Sequence, residues 1–329
     1  MIRTPTHDGV VAAARSIAEI LPQTPLLPVE IGGVGAHVKA ENLQPIGAFK
    51  IRGGWWRLSN LSPDERKQGV VAVSSGNHAQ GVAWAARRLG IKATIVMPHD
   101  APEVKLANTK ALGADVVLYK RASREQGGED RDEIAAKLIE EQGGVLVHAF
   151  GDPWVIEGQG SSGIEAAKQL EGQLEGQLGR APSRFIACCG GGGLAAGLAL
   201  SCPDAAVHVV EPEGWDMVGQ AIASGEIVTA SANAPKTICD ALQPTATKAL
   251  NLGLLKTRAE PGVTVTDDEV RDAQRWAFAN LRLVVEPGGA AALAAALAGK
   301  VPIDEGTIIM ITGGNADPAA FARTIAQKI

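Results

Sequence analysis

The sequence predicts an α/β protein of two parallel-sheet α/β lobes, with a crevice between them at the C-terminal ends of the strands. Three observations predict it. Short β-rich runs alternate with helical runs along most of the chain, the pattern of parallel βαβ units. The glycine-rich strings fall directly after such runs, where open α/β sheets place their ligands. And 329 residues is length enough for two domains.

Taken in order, VVAVSS (70–75) reads as a strand and NHAQGVAWAARRLG (77–90) as a helix that Gly90 stops. KATIVMP (92–98) is the next strand, cut by Pro98. VKLANTKALG (104–113) reads as a helix and ADVVLY (114–119) as a strand. DRDEIAAKLIEEQGG gives a further helix and VLVHAF (145–150) a further strand. A helix near 161–171 then precedes RFIACCGGGGLAAGLAL, which is strand, glycine loop and helix. VHVVEP (207–212) and TIIMITGG (307–314) supply the last strands. EGQLEGQL (171–178) is a tandem tetrad that reads as a small surface insertion.

Composition narrows the function classes. With 46% apolar and 20% charged residues the chain is an ordinary soluble globular protein. A formal charge of −5 and no basic cluster beyond Arg87-Arg88 argue against nucleic acid or an anionic membrane as partner. No run approaches the ~20 apolar residues of a membrane span. The apolar VVAAA near the N-terminus is too short for a signal segment. Cys188, Cys189, Cys202 and Cys239 show no metal-binding spacing and read as buried thiols of a reducing compartment. The expected location is the cytoplasm.

Four strings carry chemistry. GAFKIRG (47–53) sets Lys50 between Phe49 and Ile51 with glycine at either end. Such a lysine is either a snorkelling surface residue or an amine desolvated to be neutral and nucleophilic. Gly190, Gly191, Gly192 and Gly193 follow a strand and open a helix, so backbone N–H groups and the helix N-terminus converge as a phosphate cradle. The loop lacks the Lys and Ser/Thr of a triphosphate-binding P-loop. SSGNHAQG (74–81) offers Ser74, Ser75, Gly76, Asn77 and His78 beside a helix N-terminus, suited to a carboxylate. ITGGN (311–315) presents the Thr312 hydroxyl at the end of the last strand. GQGSSG (158–163) matches GxGxxG but follows no strand directly, which disfavours a nicotinamide dehydrogenase. Together the four strings are the parts of a pyridoxal-phosphate site acting on an amino acid.

ENLQPIGAFKIRG, SSGNHAQGVA, GGGGL, VEP, TICDAL, LVVEPGGAAALAA and TGGN occur in that order. They resemble the fold-type II pyridoxal-phosphate enzymes, tryptophan-synthase-β-like in architecture, and within them the serine/threonine dehydratase and serine racemase family. The resemblance covers residues from about 20 to 317. It implies a large cofactor-binding domain of residues 1–68 and 149–329, a small α/β domain of residues 69–148, and a homodimer. No room is left for the C-terminal regulatory domain of biosynthetic threonine dehydratases. The resemblance makes Lys50 the Schiff-base lysine, with Phe49 packed beside the cofactor ring. Asn77 is implied at the ring 3-hydroxyl, Gly190 to Gly193 at the phosphate, and Thr312 at the pyridine nitrogen. Ser74, Ser75, Gly76 and His78 line the substrate carboxylate pocket.

The reaction so implied is loss of water and ammonia from L-threonine or L-serine, with Lys50 removing the α-proton. A hydroxyl at the ring nitrogen makes a milder electron sink than a carboxylate and favours prompt β-elimination. Ser75 complicates this, because threonine dehydratases commonly carry Ala there, whereas serine racemases and hydroxyaspartate dehydratases carry Ser. Lys50 and Ser75 together would permit two-base racemisation. Arg131, in GEDRDEI, matches an arginine that reaches substrate carboxylates in the racemase-like members and suits threo-3-hydroxyaspartate; its bland reading is a partner on an acidic helix. The Mg2+ or Ca2+ site of the family maps to Glu211, but its second position is Met217, with Asp216 one residue early. A thioether is a poor ligand for a hard cation, so the site is either lost or rebuilt through Asp216. A cofactor-binding regulator without turnover is the competing class, and intact Lys50, Ser75 and Thr312 oppose it.

Overall fold

The computed structural model describes residues 3–74, 76–101, 103–120, 128–173 and 181–327. Among them ten strands form two sheets: Leu26–Ile31 (β1), Val34–Ala40 (β2), Val70–Val73 (β3), Ala93–Pro98 (β4), Asp115–Tyr119 (β5), Val145–Leu146 (β6), Arg184–Cys188 (β7), Ala206–Pro212 (β8), Val263–Val265 (β9) and Thr307–Ile311 (β10). The smaller sheet runs β5-β4-β3-β6, all parallel. The larger runs β1-β2-β10-β7-β8-β9 and is parallel except for β1, which pairs antiparallel with β2. No helix among the described residues is long and apolar enough to cross a membrane.

The β1–β2 hairpin escaped the sequence reading. Its two-residue turn, Gly32-Gly33, has φ of 59° and 80°, the conformation that tight hairpins favour and glycine alone adopts freely. VLVHAF is a strand only over Val145–Leu146. The chain then leaves the sheet, and Val147 to Phe150 descend into the cleft. The helix expected near 161–171 begins much earlier, at Pro153, and runs to Gln173. GQGSSG therefore lies inside a helix, where its glycines serve close packing. A Cβ on Gly158 would stand 2.7 Å from the Gly53 backbone, and one on Gly160 2.5 Å from the Gly197 carbonyl. The tandem tetrad lies outside the described residues from 174 onward.

Central strands β7, β8 and β10 are buried on both faces, as apolar parallel strands must be. The helices Gly193–Ser201 and Pro287–Leu297 against them are Ala-rich and almost wholly buried, small side chains letting them sit close to the sheet. A tight helix crossing links the sides of the two sheets. In it the helix Lys50–Ser59 passes the helix Asn77–Leu89, with Gly54 and Gly81 at the contact. A Cβ on Gly81 would lie 2.6 Å from the Lys50 carbonyl oxygen, and one on Gly54 2.6 Å from that of Gly81. Backbone cannot step aside, so the glycines set how closely the Lys50 and Asn77 helices approach.

Gly81→Ala should therefore lower the melting temperature by several degrees, a loss of roughly 1–3 kcal/mol from overpacking. Gly253→Ala, in the helix Ala249–Leu255 with open space around it, should be neutral or mildly stabilising. Thermal melts of the two variants side by side check this.

Candidate active site

The cleft between the sheets holds about 270 Å3 and is lined by residues from the C-terminal ends of β3, β7 and β10 and from the loop after β6. Lys50 opens its helix at the floor. Two main-chain hydrogen bonds sew its loop to the end of β10. Phe49 N–H donates to the Thr312 carbonyl (3.0 Å) and Gly314 N–H to the Gly47 carbonyl (2.8 Å), which makes Ala48 and Gly313 an antiparallel bridge. Two residues on, Arg52 is 1% exposed and fixes the helix from beneath. Its guanidinium grips Glu41 through two 2.7 Å bonds and Glu165 through one of 2.9 Å, with Lys39 completing the cluster.

The Lys50 amine is enclosed although the side chain faces the cleft. It donates to the Ala149 carbonyl at 2.7 Å. Burial brings its pKa down to about 8, with nearby Cys188 opposing. A position at a helix N-terminus also disfavours a cation. Of the two readings the sequence allowed for Lys50, the structure supports the desolvated amine.

Facing it, the glycine loop joins β7 to the helix Gly193–Ser201, with Gly192 at φ 86°. A Cβ on Gly191 would collide with the Phe150 ring at 2.3 Å, and one on Gly193 with the Phe150 backbone at 2.9 Å. The Gly191 carbonyl is tied by Asn251 Nδ2 (2.7 Å) and Thr247 Oγ1 (3.0 Å), two residues the sequence reading missed. First-turn helix amides have no intrahelical acceptor, so this end of the cleft is made for an anion.

The opposite wall carries Ser74, Gly76, Asn77 and His78; Ser75 lies outside the described residues. Ser74 Oγ accepts from Gly76 N–H (3.2 Å). Asn77 is held at both ends: Nδ2 donates to Glu286, and Oδ1 accepts from Asn315 Nδ2 (2.8 Å). His78 departs from expectation in one respect. Its Nε2 meets the Val147 carbonyl at 2.9 Å, which requires a proton there, and burial with Lys50 nearby lowers its pKa to about 3. The ring is thus neutral and Nδ1 is an acceptor, so His78 can serve a carboxylate only through its backbone amide in the first helical turn.

Thr312 stands at the end of β10, buried, with Oγ1 3.1 Å from Cys188 Sγ. Behind Asn77 sits a cluster that the sequence reading did not single out. Buried Lys105 Nζ lies 2.8 Å from Asp240 and 3.3 Å from Glu286. Burial alone would lower the Lys105 pKa, but the two carboxylates outweigh it and the net direction is up. At the mouth, Arg131 opens the helix Arg131–Gln142 and is exposed, with Lys248 across from it beside His148. His148 is kept neutral, its pKa lowered to about 4 by burial and then by Lys248.

With this geometry in view, the relatives are informative. The family described as "Pyridoxal-phosphate dependent enzyme" matches residues 17–313. The chain belongs to that family. It is 37% identical to the serine racemase of Schizosaccharomyces pombe, over 98% of each chain. It is 36% identical to the L-threo-3-hydroxyaspartate ammonia-lyase of Saccharomyces cerevisiae, over 98% of this chain and 97% of that one. The crystal structure of a "T.th." threonine deaminase superposes with a TM-score of 0.84 at 37% identity, covering 95% of this chain and 99% of that one. Pyridoxal-phosphate ammonia-lyases and racemases are therefore its kin.

The residues present fit pyridoxal phosphate. A buried amine of lowered pKa, a side-chain-free cradle at a helix N-terminus and a buried hydroxyl line one cleft. The cleft also holds a buried acceptor, His78 Nδ1, with no partner among the described residues. Glu211 and Asp216 do not fit a hard divalent cation. The Glu211 oxygens accept from Val218 N–H (3.0 Å) and Gly219 N–H (2.8 Å), capping the helix Met217–Ser224. Asp216 accepts from Gln220 Nε2 (3.0 Å), and Met217 is buried. Among the described residues no cluster of three or more His, Cys, Asp or Glu side chains stands ready for a metal.

Two outcomes follow. Below about pH 8 the folded, cofactor-free protein carries a charged Lys50 amine in a site that disfavours it. Between about 8 and the ordinary value of 10.5 the unfolded chain binds more protons, so stability rises with pH. Lys50→Met should therefore stabilise the cofactor-free protein at neutral pH, by roughly 3 kcal/mol at most, and the gain should shrink as pH approaches 10.5. Denaturant melts of both proteins across that range check it; parallel curves would contradict it. Melting temperature should also be the same in EDTA as in excess Mg2+.

Proposed function

We propose that the protein is a pyridoxal-phosphate-dependent ammonia-lyase that converts L-threonine, L-serine or both to a 2-oxo acid and ammonia. The observation that carries this reading is the Lys50 amine, buried and of lowered pKa, facing the glycine loop and Thr312 across one cleft. Bound pyridoxal phosphate supplies an electron sink for the pair left at Cα when its proton goes. The protein's own groups do the rest. Lys50, its pKa lowered to about 8, takes the α-proton as general base in its neutral form. Gly190 to Gly193 and the helix behind them hold the phosphate, and Phe49 packs beside the ring. Thr312 meets the pyridine nitrogen, and Asn77, clamped by Glu286 and Asn315, meets the 3-hydroxyl. Ser74, Gly76 and the amides that open the helix Asn77–Leu89 hold the substrate carboxylate. The β-hydroxyl leaves as water with the proton that Lys50 took from Cα, and the enamine so released hydrolyses to the 2-oxo acid and ammonia.

A second reading, threo-3-hydroxyaspartate as substrate, is favoured by the cations at the mouth. Arg131 and Lys248 both line the cleft, and a second carboxylate would find them there. Serine racemisation with Lys50 and Ser75 as the two bases is supported by the Schizosaccharomyces pombe relative. Four free cysteines support a reducing, cytoplasmic location, and the homodimer of the resemblance belongs to the same proposal.

The test is 2-oxo acid release from L-threonine, L-serine, D-serine and both threo-3-hydroxyaspartates, with chiral analysis of the remaining amino acid. Release from L-threonine or L-serine is expected. In that case Arg131→Met and Lys248→Met should change kcat/KM by less than about threefold, as for rim charges. Release from hydroxyaspartate alone, with KM raised at least about tenfold in either variant, would establish the second reading. Inversion without 2-oxo acid would establish the racemase.

A further inference from the structure

We infer that Cys188 is a positioning residue whose thiol turns the Thr312 hydroxyl toward the ring nitrogen of pyridoxal phosphate. The inference rests on the site reading above. Strands β7 and β10 pair in parallel, Ile186 opposite Ile309, so their C-terminal ends bring Cys188 and Thr312 together. Sγ and Oγ1 are 3.1 Å apart; both residues are buried and both line the cleft. The Thr312 carbonyl is already committed to Phe49 N–H. Among the described residues Cys188 is the one partner of its hydroxyl.

A hydroxyl in this place has two settings. It either gives its proton to sulfur and turns lone pairs toward the cleft, or accepts S–H and gives O–H to the cleft. The thiol is protonated, since burial pushes its pKa up to about 11 and outweighs the Thr312 hydrogen bond, which works the other way. Sulfur is a weak acceptor, and a pyridine nitrogen is a stronger one. The second setting gives the strong donor to the strong acceptor and the weak donor, S–H, to the hydroxyl oxygen. It leaves the ring nitrogen hydrogen-bonded and unprotonated, the milder electron sink that suits prompt elimination. The Glu286 carboxylate takes the Asn77 amide on Oε1 and lies 3.3 Å from Lys105 Nζ on Oε2. The sequence reading saw in Cys188 only a buried thiol.

The test uses the holoenzymes of wild type, Cys188→Ser, Cys188→Ala, Thr312→Ala and the double alanine variant. Absorption and fluorescence of the bound cofactor are followed with pH, and its Kd is measured by titration. Cys188→Ser keeps a donor and should retain the wild-type spectrum and pH profile. Cys188→Ala should shift the spectrum or make it pH-dependent, and weaken cofactor binding about 3- to 10-fold. In the Thr312→Ala background, Cys188→Ala should add nothing further. A Cys188→Ala spectrum and Kd equal to wild type would overturn the inference. So would Cys188→Ser behaving like Cys188→Ala, since that would mean sulfur serves only packing. Wild type showing no bound-cofactor chromophore would overturn the site reading as well, which separates the two failures.

Discussion

An amine stripped of its water is costly to hold, and the surroundings of Lys50 can be read as the means of holding one in a fixed place. The side chain sits at the first residue of a helix, where the backbone dipole disfavours a cation. The helix itself has little freedom. Arg52, locked to Glu41 and Glu165 in a buried cluster, fixes its rotation. Gly54 and Gly81 fix its distance from the neighbouring helix. Phe49 and Gly47 tie its entry to the end of β10. Breaking a fully buried ion pair costs several kcal/mol, so this anchoring is hard to undo.

The same stiffness spans the cleft. Lys105, from the side of the smaller sheet, reaches Asp240 and Glu286 on the side of the larger. Glu286 in turn takes the Asn77 amide, and Asn77 takes Asn315 from the end of β10. Two walls built on different sheets are thereby joined through one chain of polar contacts directly behind the ligand-facing surface. Charge-assisted bonds in a buried site are worth more than the same bonds in water. The geometry of the pocket thus depends on contacts among the residues that line it.

How much of this is legible in the sequence follows from range. Lys50 in GAFKIRG, the run Gly190 to Gly193 and Thr312 in TGGN announce themselves because each is a short string whose chemistry is local. The architecture was legible for the same reason, through strand–helix alternation. What was missed depends on partners far away in sequence. Asp240 and Glu286 lie in TICDAL and LVVEPGG, strings that carried the resemblance, yet only the fold shows that both close on Lys105. Cys188 acquires a role only beside Thr312, 124 positions on. Asn251 and Thr247 matter through one carbonyl of the glycine loop. The glycines of GQGSSG imitate a nucleotide loop because close helix packing and close ligand approach make the same demand, a missing side chain. The β1–β2 hairpin was a local signal overlooked, since Gly32-Gly33 between two strand-length runs marks such a turn.

The measurement that bears most directly on this account is the position of the covalently held cofactor. The purified protein would be loaded with pyridoxal phosphate, reduced with borohydride, digested and mapped by mass spectrometry. A single pyridoxyl group on the peptide that carries Lys50 is the predicted result. A label on another lysine, Lys105 or Lys248 included, or no label at all, would contradict it.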